Sequence, residues 1–163
     1  MEIGRKIIVL GCPGSGKSTF ARKLRDKTGL PLIHLDNIWW RADRTHLTPD
    51  AFDRVLEKTL SGDQWIIDGN YRRTLEVRFR ACDTAIFLDY DEETCLAGIS
   101  ERIGKKRPDI PWVENSLDPE LVDFVRRYRS DDRPLVYALL EKYSERQIHI
   151  LHTRAEAENW LFV

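Results

Sequence analysis

Apolar residues along this chain fall into short continuous runs, separated by segments in which they recur every three or four positions. The runs predict strands at Lys6 to Leu10, Leu32 to Leu35, Trp65 to Ile67, Thr84 to Leu88 and Gln147 to Leu151. The first run is apolar on both faces, which is typical of a central parallel strand covered twice by helices. Strands that alternate with helical segments predict an α/β fold with a five-stranded parallel sheet.

The helical segments carry recognisable start signals. One helix is predicted over Lys17 to Lys27, and others begin at Thr48-Pro49, at Asp118-Pro119 and at the capping box Thr153-x-x-Glu156. The stretch between Gly104 and Ser116 has no apolar period. The apolar positions that mark the helices are Phe20, Ala21, Leu24, Phe52, Val55, Leu56, Leu60, Leu96, Ile99, Ile103, Leu121, Phe124, Val125, Tyr128, Leu135 to Leu140, Trp160 and Leu161.

Composition narrows the class of protein. With 163 residues, 42% of them hydrophobic, the chain suits one domain over residues 1–163. A formal net charge of −1 argues against direct binding to nucleic acid or an anionic membrane. The cysteines Cys12, Cys82 and Cys95 form no Cys-x-x-Cys pair, and no stretch approaches membrane-spanning length. We expect a cytoplasmic protein without a membrane partner, either a monomer or a weak homodimer.

One motif carries most of the predicted chemistry. Gly11 to Ser18 matches G-x-x-x-x-G-K-[ST], between a buried strand and a helix. Such a loop curls its backbone N–H groups around phosphates, and the helix N-terminus adds positive potential. Lys17 is expected to reach the β- and γ-phosphates of ATP, and Ser18 to offer its hydroxyl to Mg²⁺. The predicted ATP-contacting residues of this loop are Gly11, Pro13, Gly14, Ser15, Gly16, Lys17, Ser18 and Thr19, although Thr19 can also cap or pack. The alternative is a turn that only links strand to helix, which leaves Lys17 unexplained.

The rest of the chain resembles the nucleoside monophosphate kinase and shikimate kinase group. The resemblance lies in Trp65 to Arg72, which is similar to the adenylate kinase strand ending in Asp-Gly-Phe-Pro-Arg, and in Ala85 to Asp89. A narrower resemblance, to the bacterial topology-modulation (FlaR-like) proteins, lies in His34-Leu35-Asp36, in Trp65 to Tyr71 and in Arg107-Pro108-Asp109. It implies a P-loop NTPase three-layer sandwich with a helical lid at about residues 101–133.

The resemblance also implies roles for carboxylates at strand ends. Asp68 would hold Mg²⁺ through water, and Asp36 would accept a hydroxyl proton or bind the acceptor, as the comparable aspartate does in shikimate kinase. Asp89 ranks below Asp68 as a magnesium group. Arg72 coincides with an arginine that binds the acceptor phosphate in adenylate kinase. The alternative for Asp68 is helix capping or a turn.

Arginines near the segment without apolar period are candidates for a lid that closes over ATP. We assign Arg102 to ATP binding. Arg126 and Arg127 are expected to act in catalysis, because Phe124 stands where adenylate kinase has its lid arginine. The alternative is a solvated basic face paired with nearby aspartates.

Besides Asp36, three side chains of the segment Ile33 to Arg41 are candidates for acceptor binding. His34 orients an acceptor or packs in the core, and Trp39 or Trp40 offers a stacking plane or packs. This segment lacks the Thr-Gly-Asp of adenylate kinase, which argues against AMP as the acceptor.

The sequence therefore predicts a kinase that transfers the γ-phosphoryl group of MgATP to a small molecule, either a nucleotide or a hydroxylated metabolite. The alternative is a nucleotide-binding regulator that affects DNA topology without kinase turnover. A switch GTPase is disfavoured because the chain has no Asn-Lys-x-Asp signature.

Overall fold

Five parallel strands form one sheet in the computed structural model, which describes residues 3–163 and leaves the first two positions of the predicted domain outside the described residues. The order across the sheet is β2-β3-β1-β4-β5. The strands are β1 (Lys6–Gly11), β2 (Leu32–His34), β3 (Trp65–Asp68), β4 (Thr84–Leu88) and β5 (Gln147–Leu151). The predicted α/β class and the five-stranded parallel sheet are confirmed.

Helices connect the strands and cover both faces of the sheet. Within residues 3–163 they are α1 (Lys17–Thr28), α2 (Leu35–Trp39), α3 (Pro49–Leu60), α4 (Leu75–Ala81), α5 (Glu92–Glu101), α6 (Pro119–Asp131), α7 (Arg133–Lys142) and α8 (Arg154–Phe162), with a 3₁₀ turn at Arg72–Thr74. The crossover from β1 to β2 runs in the opposite direction to the later crossovers. Because parallel crossovers are right-handed, α1 lies on the opposite face from α3, α4 and α7.

The core lies where the sequence is most apolar. Ile7 to Leu10 of β1 are fully buried, and so is Phe87 of β4. The polar residues His34 and Asp68 stand at the carboxyl ends of β2 and β3. Parallel strands bring these ends to one edge, which is where ligands bind in open α/β sheets.

The predicted helix starts are confirmed by their caps. The side chain of Thr48 accepts a hydrogen bond from the backbone N–H of Ala51, and that of Asp118 accepts one from Glu120. In the predicted capping box, Thr153 accepts from the N–H of Glu156 at 3.1 Å. Each cap satisfies an N–H group that the first helical turn leaves free.

Three local predictions are wrong, and two short helices were missed. Leu35 begins α2 instead of ending β2, and Ile103 lies beyond the end of α5. Val55 was expected to face inward but is 41% exposed, because it lies about 100° of helix rotation from the buried Leu56. Helices α2 and α4 were not predicted, since five and seven residues are too few to show a helical period.

Candidate functional site

The glycine-rich loop between β1 and α1 has the backbone of a phosphate cradle. Gly14 and Gly16 adopt φ angles of 84° and 83°, a region open to glycine at little cost. The N–H of Ser15 donates to the carbonyl of Cys12 at 3.0 Å, which closes the turn. Gly16 is also the N-cap of α1, so the loop runs directly into the helix N-terminus.

Helix α5 holds this loop at very short range. A Cβ added to Gly14 would overlap the carbonyl oxygen of Cys95, and one added to Gly98 would overlap the carbonyl oxygen of Gly14. Both positions therefore require glycine. Packing of the loop against α5 fixes its shape from behind and leaves its front open.

The front of the loop faces a cavity of about 870 Å³. Seven of the eight loop residues predicted to contact ATP line it, namely Pro13, Gly14, Ser15, Gly16, Lys17, Ser18 and Thr19. Gly11 is buried at the end of β1, where its N–H donates to Asn70 Oδ1 at 3.4 Å. The Ser15 hydroxyl is buried and finds no hydrogen-bond partner within residues 3–163.

Two buried carboxylates flank the Ser18 hydroxyl. Ser18 Oγ lies 3.5 Å from Asp68 Oδ1 and 3.3 Å from Asp109 Oδ2. Asp68 is 3% exposed and Asp109 is 4% exposed. Asp68 comes from the end of β3, as expected from the sequence, whereas Asp109 comes from the segment without apolar period. The loop hydroxyl and both carboxylates thus meet at the sheet edge.

His34 contacts Asp68 and not the cavity. The two residues are register partners on the adjacent strands β2 and β3, so their side chains project from the same face of the sheet. His34 Nδ1 lies 2.5 Å from Asp68 Oδ2, and both side chains are buried. This contact fixes one oxygen of Asp68 and leaves the other facing Ser18.

Asp36 stands in the cavity beside Tyr71. The Tyr71 hydroxyl donates to Asp36 Oδ1 at 2.6 Å. Burial raises the pKa of Asp36, and Asp68 and Asp109 add to this, while the Tyr71 hydrogen bond and Lys17 act in the opposite direction. A carboxylate with a raised pKa is suited to accept a proton.

The segment from Arg102 to Asp118 folds over the glycine-rich loop. Asn37 of α2 donates to the carbonyl oxygen of Pro108 at 2.8 Å, which docks the segment on the far side of the cavity. Arg102 Nε lies 3.0 Å from Glu114 Oε2, and Arg107 Nη2 lies 3.5 Å from the same oxygen. Arg102 and Arg107 both line the cavity. The structure therefore places this part of the predicted lid over the loop, in an irregular conformation and not as a helix.

The other predicted arginines lie elsewhere. Arg127 and Arg72 line a second cavity of about 370 Å³ between the 3₁₀ turn and α6, which shares Asn70, Tyr71 and Phe124 with the main cavity. The Arg72 side chain is 61% exposed and its Nη1 lies 3.8 Å from Asp132 Oδ1. Arg126 is exposed on α6 and lines neither of these cavities. This arrangement does not bring these three arginines to Lys17.

The two adjacent tryptophans have different surroundings. The Trp39 ring stacks on His46 at 4.5 Å and packs edge-on against Phe52, outside the main cavity. Trp40 lines the cavity and meets Trp112 of the covering segment edge-to-face at 5.4 Å. Trp40, and not Trp39, is thus placed to meet a ligand in this cavity.

Asp89, at the end of β4, is bound to other side chains. Arg133 donates to both its oxygens, at 2.7 and 2.8 Å, and the Tyr137 hydroxyl donates at 2.7 Å. Burial alone would raise the pKa of Asp89, but these hydrogen bonds outweigh it and the pKa is lowered. The hydrogen-bonding capacity of this carboxylate is thus already used by Arg133 and Tyr137.

A fully buried arginine holds the turn after β3. The Arg78 guanidinium donates to the backbone carbonyls of Gly69 at 2.8 Å, of Tyr71 at 3.2 Å and of Thr74 at 3.3 Å, and also to that of Asn70. These bonds connect α4 to the segment that carries Asp68 and Tyr71. Arg78 therefore positions the edge of the site without facing the cavity.

The residues present fit a nucleotide with magnesium. A loop of backbone N–H groups at a helix N-terminus suits phosphates, and hydroxyl and carboxylate oxygens are the ligands that Mg²⁺ prefers. Within residues 3–163 no group of three or more His, Cys, Asp or Glu side chains forms a metal site alone. A metal at Ser18 would thus depend on the hydroxyl and on phosphate oxygens, as in other P-loop proteins.

Sequence reasoning missed several residues of this site. Asp109 was considered only as an ion-pair partner of nearby arginines, although it belongs to the Arg107-Pro108-Asp109 motif. Tyr71 was likewise inside a noted motif but was given no role. Trp112 and Arg78 gave no signal, because their place depends on how distant segments meet.

Comparison with known proteins gives related sequences at low identity. No protein-family model matches the chain. A protein of Pyrococcus furiosus provisionally named adenylate kinase is 25% identical over 73% of this chain and 65% of its own length. An adenylate kinase of Fervidobacterium nodosum is 30% identical over 59% of this chain and 57% of its own. Adenylate kinase 2 of Synechocystis sp. is 26% identical over 97% of this chain and 90% of its own length. The chain thus spans less than two thirds of the length of each of the first two relatives.

A solved structure confirms the fold. The crystal structure of shikimate kinase from Bacteroides thetaiotaomicron matches with a TM-score of 0.57, covering 98% of this chain and 96% of its own, at 18% identity. The chain has this P-loop NTPase fold. The sequence relatives support the broader prediction of a P-loop kinase, while the narrower resemblance to topology-modulation proteins stays a prediction. Over residues 3–163, no helix has the length and apolar character needed to span a membrane.

Proposed function

We propose that the protein is an ATP-dependent phosphotransferase that moves the γ-phosphoryl group of MgATP to a small-molecule acceptor. The observation that carries the proposal is one continuous cavity with the glycine-rich loop and Ser18 on one side and the half-buried carboxylate of Asp36 on the other. A phosphoryl donor and a hydroxyl acceptor both find suitable groups in it. The kinase names of the relatives support this function.

The chain's own residues would divide the binding of the donor between them. The backbone N–H groups of the loop hold the phosphates, and the Lys17 ammonium pairs with the β- and γ-phosphate oxygens. Ser18, with Asp68 and Asp109 beside its hydroxyl, would hold the magnesium ion. Magnesium supplies neutralisation of phosphate charge when it is bound. Arg102 and Arg107 cover the cavity and exclude water.

Asp36 would serve the acceptor. Its carboxylate accepts the proton of the acceptor hydroxyl, whose oxygen forms the new bond to the γ-phosphorus. The bond between that phosphorus and the β–γ bridging oxygen breaks, and ADP leaves with that oxygen. The Tyr71 hydroxyl holds Asp36 in place through its 2.6 Å hydrogen bond. Phosphoryl transfer needs such alignment more than covalent help.

The test is MgATP binding by calorimetry to the wild type and to Lys17→Ala. Removal of the ammonium should weaken binding at least tenfold while leaving the far-ultraviolet circular dichroism unchanged. Lys23→Ala is the matched control, because Lys23 is an exposed lysine of the same helix that pairs with Glu158. Equal MgATP affinity in Lys17→Ala and wild type would refute the proposal. The comparisons do not favour the alternative of a regulator without turnover.

A further inference from the structure

The main cavity has two ends with different chemistry. We call the residues Asp36, Trp40, Tyr71, Ile110 and Trp112, all of which line it, the acceptor end. They come from the segment after β2, the turn after β3 and the segment that covers the loop. The other end is the glycine-rich loop itself, which α5 supports.

Aromatic rings make up much of the acceptor end. Trp40 and Trp112 are half-buried and meet edge-to-face with ring centroids 5.4 Å apart. Ile110 is 8% exposed, and the Tyr71 ring stacks on Phe52 at 5.1 Å, which fixes its orientation. Such walls bind a ring by burying its apolar faces, and they require no charge on it.

The charge at this end is negative. The ionisable groups that act on Asp36 include two carboxylates, Asp68 and Asp109, and one ammonium, Lys17. Lys17 belongs to the loop and is needed for the donor phosphates. A second phosphate beside Asp36 would face three carboxylates and would need its own guanidinium groups.

The nearby guanidinium groups have other partners or face other directions. Arg107 Nη1 lies 3.6 Å from Asp109 Oδ2, and Arg102 is bound to Glu114. Arg44 lies over the Trp112 ring at 5.5 Å but is not among the residues that line the cavity. Arg72, the candidate for an acceptor phosphate, lines the adjoining second cavity, where its Nη1 lies 3.8 Å from Asp132 Oδ1.

Four further cations line the cavity, namely Arg22 of α1, Arg154 of α8, Lys105 and Lys106. Lys105 and Lys106 are exposed and follow closely after α5, the helix that packs against the glycine-rich loop. Arg22 lies on the helix that follows the loop, and Arg154 pairs with Glu101 of α5. All four cations thus belong to elements that adjoin the glycine-rich loop or follow one, which suits the donor triphosphate. The five residues of the acceptor end therefore offer a base and aromatic walls, and none of them is a cation.

From this arrangement we infer that the acceptor is a ring-bearing alcohol without a phosphate group, such as a nucleoside or another cyclic alcohol, packed against the Trp40 and Trp112 pair with its hydroxyl on Asp36. The inference rests on the proposed phosphotransferase function and names its substrate class. It selects the hydroxylated compound over the nucleotide as acceptor.

Matched pairs of acceptors test the inference. Each pair differs by one phosphate: the common nucleosides with their 5′-monophosphates, pyridoxine with its phosphate, and glucose with glucose 6-phosphate. ADP release is measured with MgATP in excess. The best acceptor is expected to lack phosphate and to exceed its phosphorylated partner at least tenfold in kcat/KM. A preference for the phosphorylated members, or no transfer to any phosphate-free member, overturns the inference.

Calorimetry of MgATP on the same preparation separates the two proposals. Transfer to phosphorylated acceptors alone leaves the phosphotransferase function standing and removes only the acceptor class. Loss of MgATP binding removes the function itself.

Variants of the aromatic walls give a second readout with the best acceptor. Trp112→Ala is expected to raise the acceptor KM about tenfold while the MgATP Kd changes less than twofold, and Trp112→Phe should restore most of the affinity. An unchanged acceptor KM in Trp112→Ala overturns the inference, because the ring would then have no contact with the acceptor.

Discussion

Replacement of Arg78 by methionine tests whether this buried guanidinium holds the edge of the site. Its four carbonyl partners lie in the chain from Gly69 to Thr74, immediately after Asp68. Methionine fills similar space but donates no hydrogen bond. The variant therefore leaves backbone acceptors without donors in a dry part of the molecule, which is costly.

The magnitude follows from the geometry. Two of the hydrogen bonds, to the carbonyls of Gly69 and Asn70, are short. Charge-assisted hydrogen bonds contribute roughly 1.5–3 kcal/mol each, so their removal takes about 3–6 kcal/mol from the stability of the fold. Burial lowers the pKa of Arg78 to about 9, so it is charged at neutral pH, and its removal returns part of the cost of burying that charge. We expect a net loss of about 3 kcal/mol in the free energy of unfolding, a large part of the usual 5–15 kcal/mol.

Urea unfolding followed by circular dichroism measures this loss. Arg80→Met is the matched control, because Arg80 is exposed on the same helix, and it should change the free energy by less than about 0.5 kcal/mol. MgATP binding, measured below the transition, should also weaken in Arg78→Met as the turn beside Asp68 loosens. A loss below about 1 kcal/mol in Arg78→Met would show that the four contacts do not hold the turn.

Three further predictions concern the carboxylates and their neighbours. Because burial raises the pKa of Asp36, its charged form opposes folding, so Asp36→Asn should raise Tm at pH 7. This gain in Tm should disappear below pH 3.8, the ordinary pKa, where Asp36 is protonated in both the folded and the unfolded state. The variant should also lower kcat about 100-fold, and an unchanged Tm and kcat would contradict the assignment. The wild-type rate should correspondingly rise with pH through the raised pKa. In calorimetry, Asp109→Asn should weaken the binding of MgATP about tenfold without weakening the binding of metal-free ATP. The control Asp123→Asn, at an exposed position of α6, should change neither affinity. An equal effect of Asp109→Asn on both affinities would exclude a magnesium role. His34→Ala should lower kcat about tenfold. His34→Asn should restore part of the lost kcat, because its amide can replace Nδ1 beside Asp68. An equal kcat in the two variants would argue against a positioning role for His34.

The donor side of the site could be predicted because it is local in sequence. Gly11 to Ser18 form one uninterrupted segment, and a strand before it with a helix after it fixes the geometry without further information. Asp68 was also predictable, because the end of a buried strand next to β1 must lie at the same sheet edge. In these cases pattern and spacing determine position through the geometry of parallel strands alone.

The acceptor end is different because three distant segments build it. Asp36 and Trp40 follow β2, Tyr71 follows β3, and Trp112 belongs to the covering segment. The sequence could not say which of two adjacent tryptophans faces the cavity, since α2 is too short to show its inward face. Its five residues direct Trp39 toward Phe52 and His46 and leave Trp40 toward Trp112. Side-chain direction here depends on tertiary contacts and not on any local period.

The same reasoning explains why Asp109 was missed and why it matters. Its segment has no apolar period, so pattern analysis predicts only a mobile cover with basic residues. The structure instead inserts a carboxylate at 4% exposure between Arg107 and the Ser18 hydroxyl. A buried carboxylate on a covering segment is stabilised only when positive charge faces it, and bound magnesium would add such charge. Closure of this segment and binding of the metal should therefore reinforce each other, which couples exclusion of water to the presence of the complete donor.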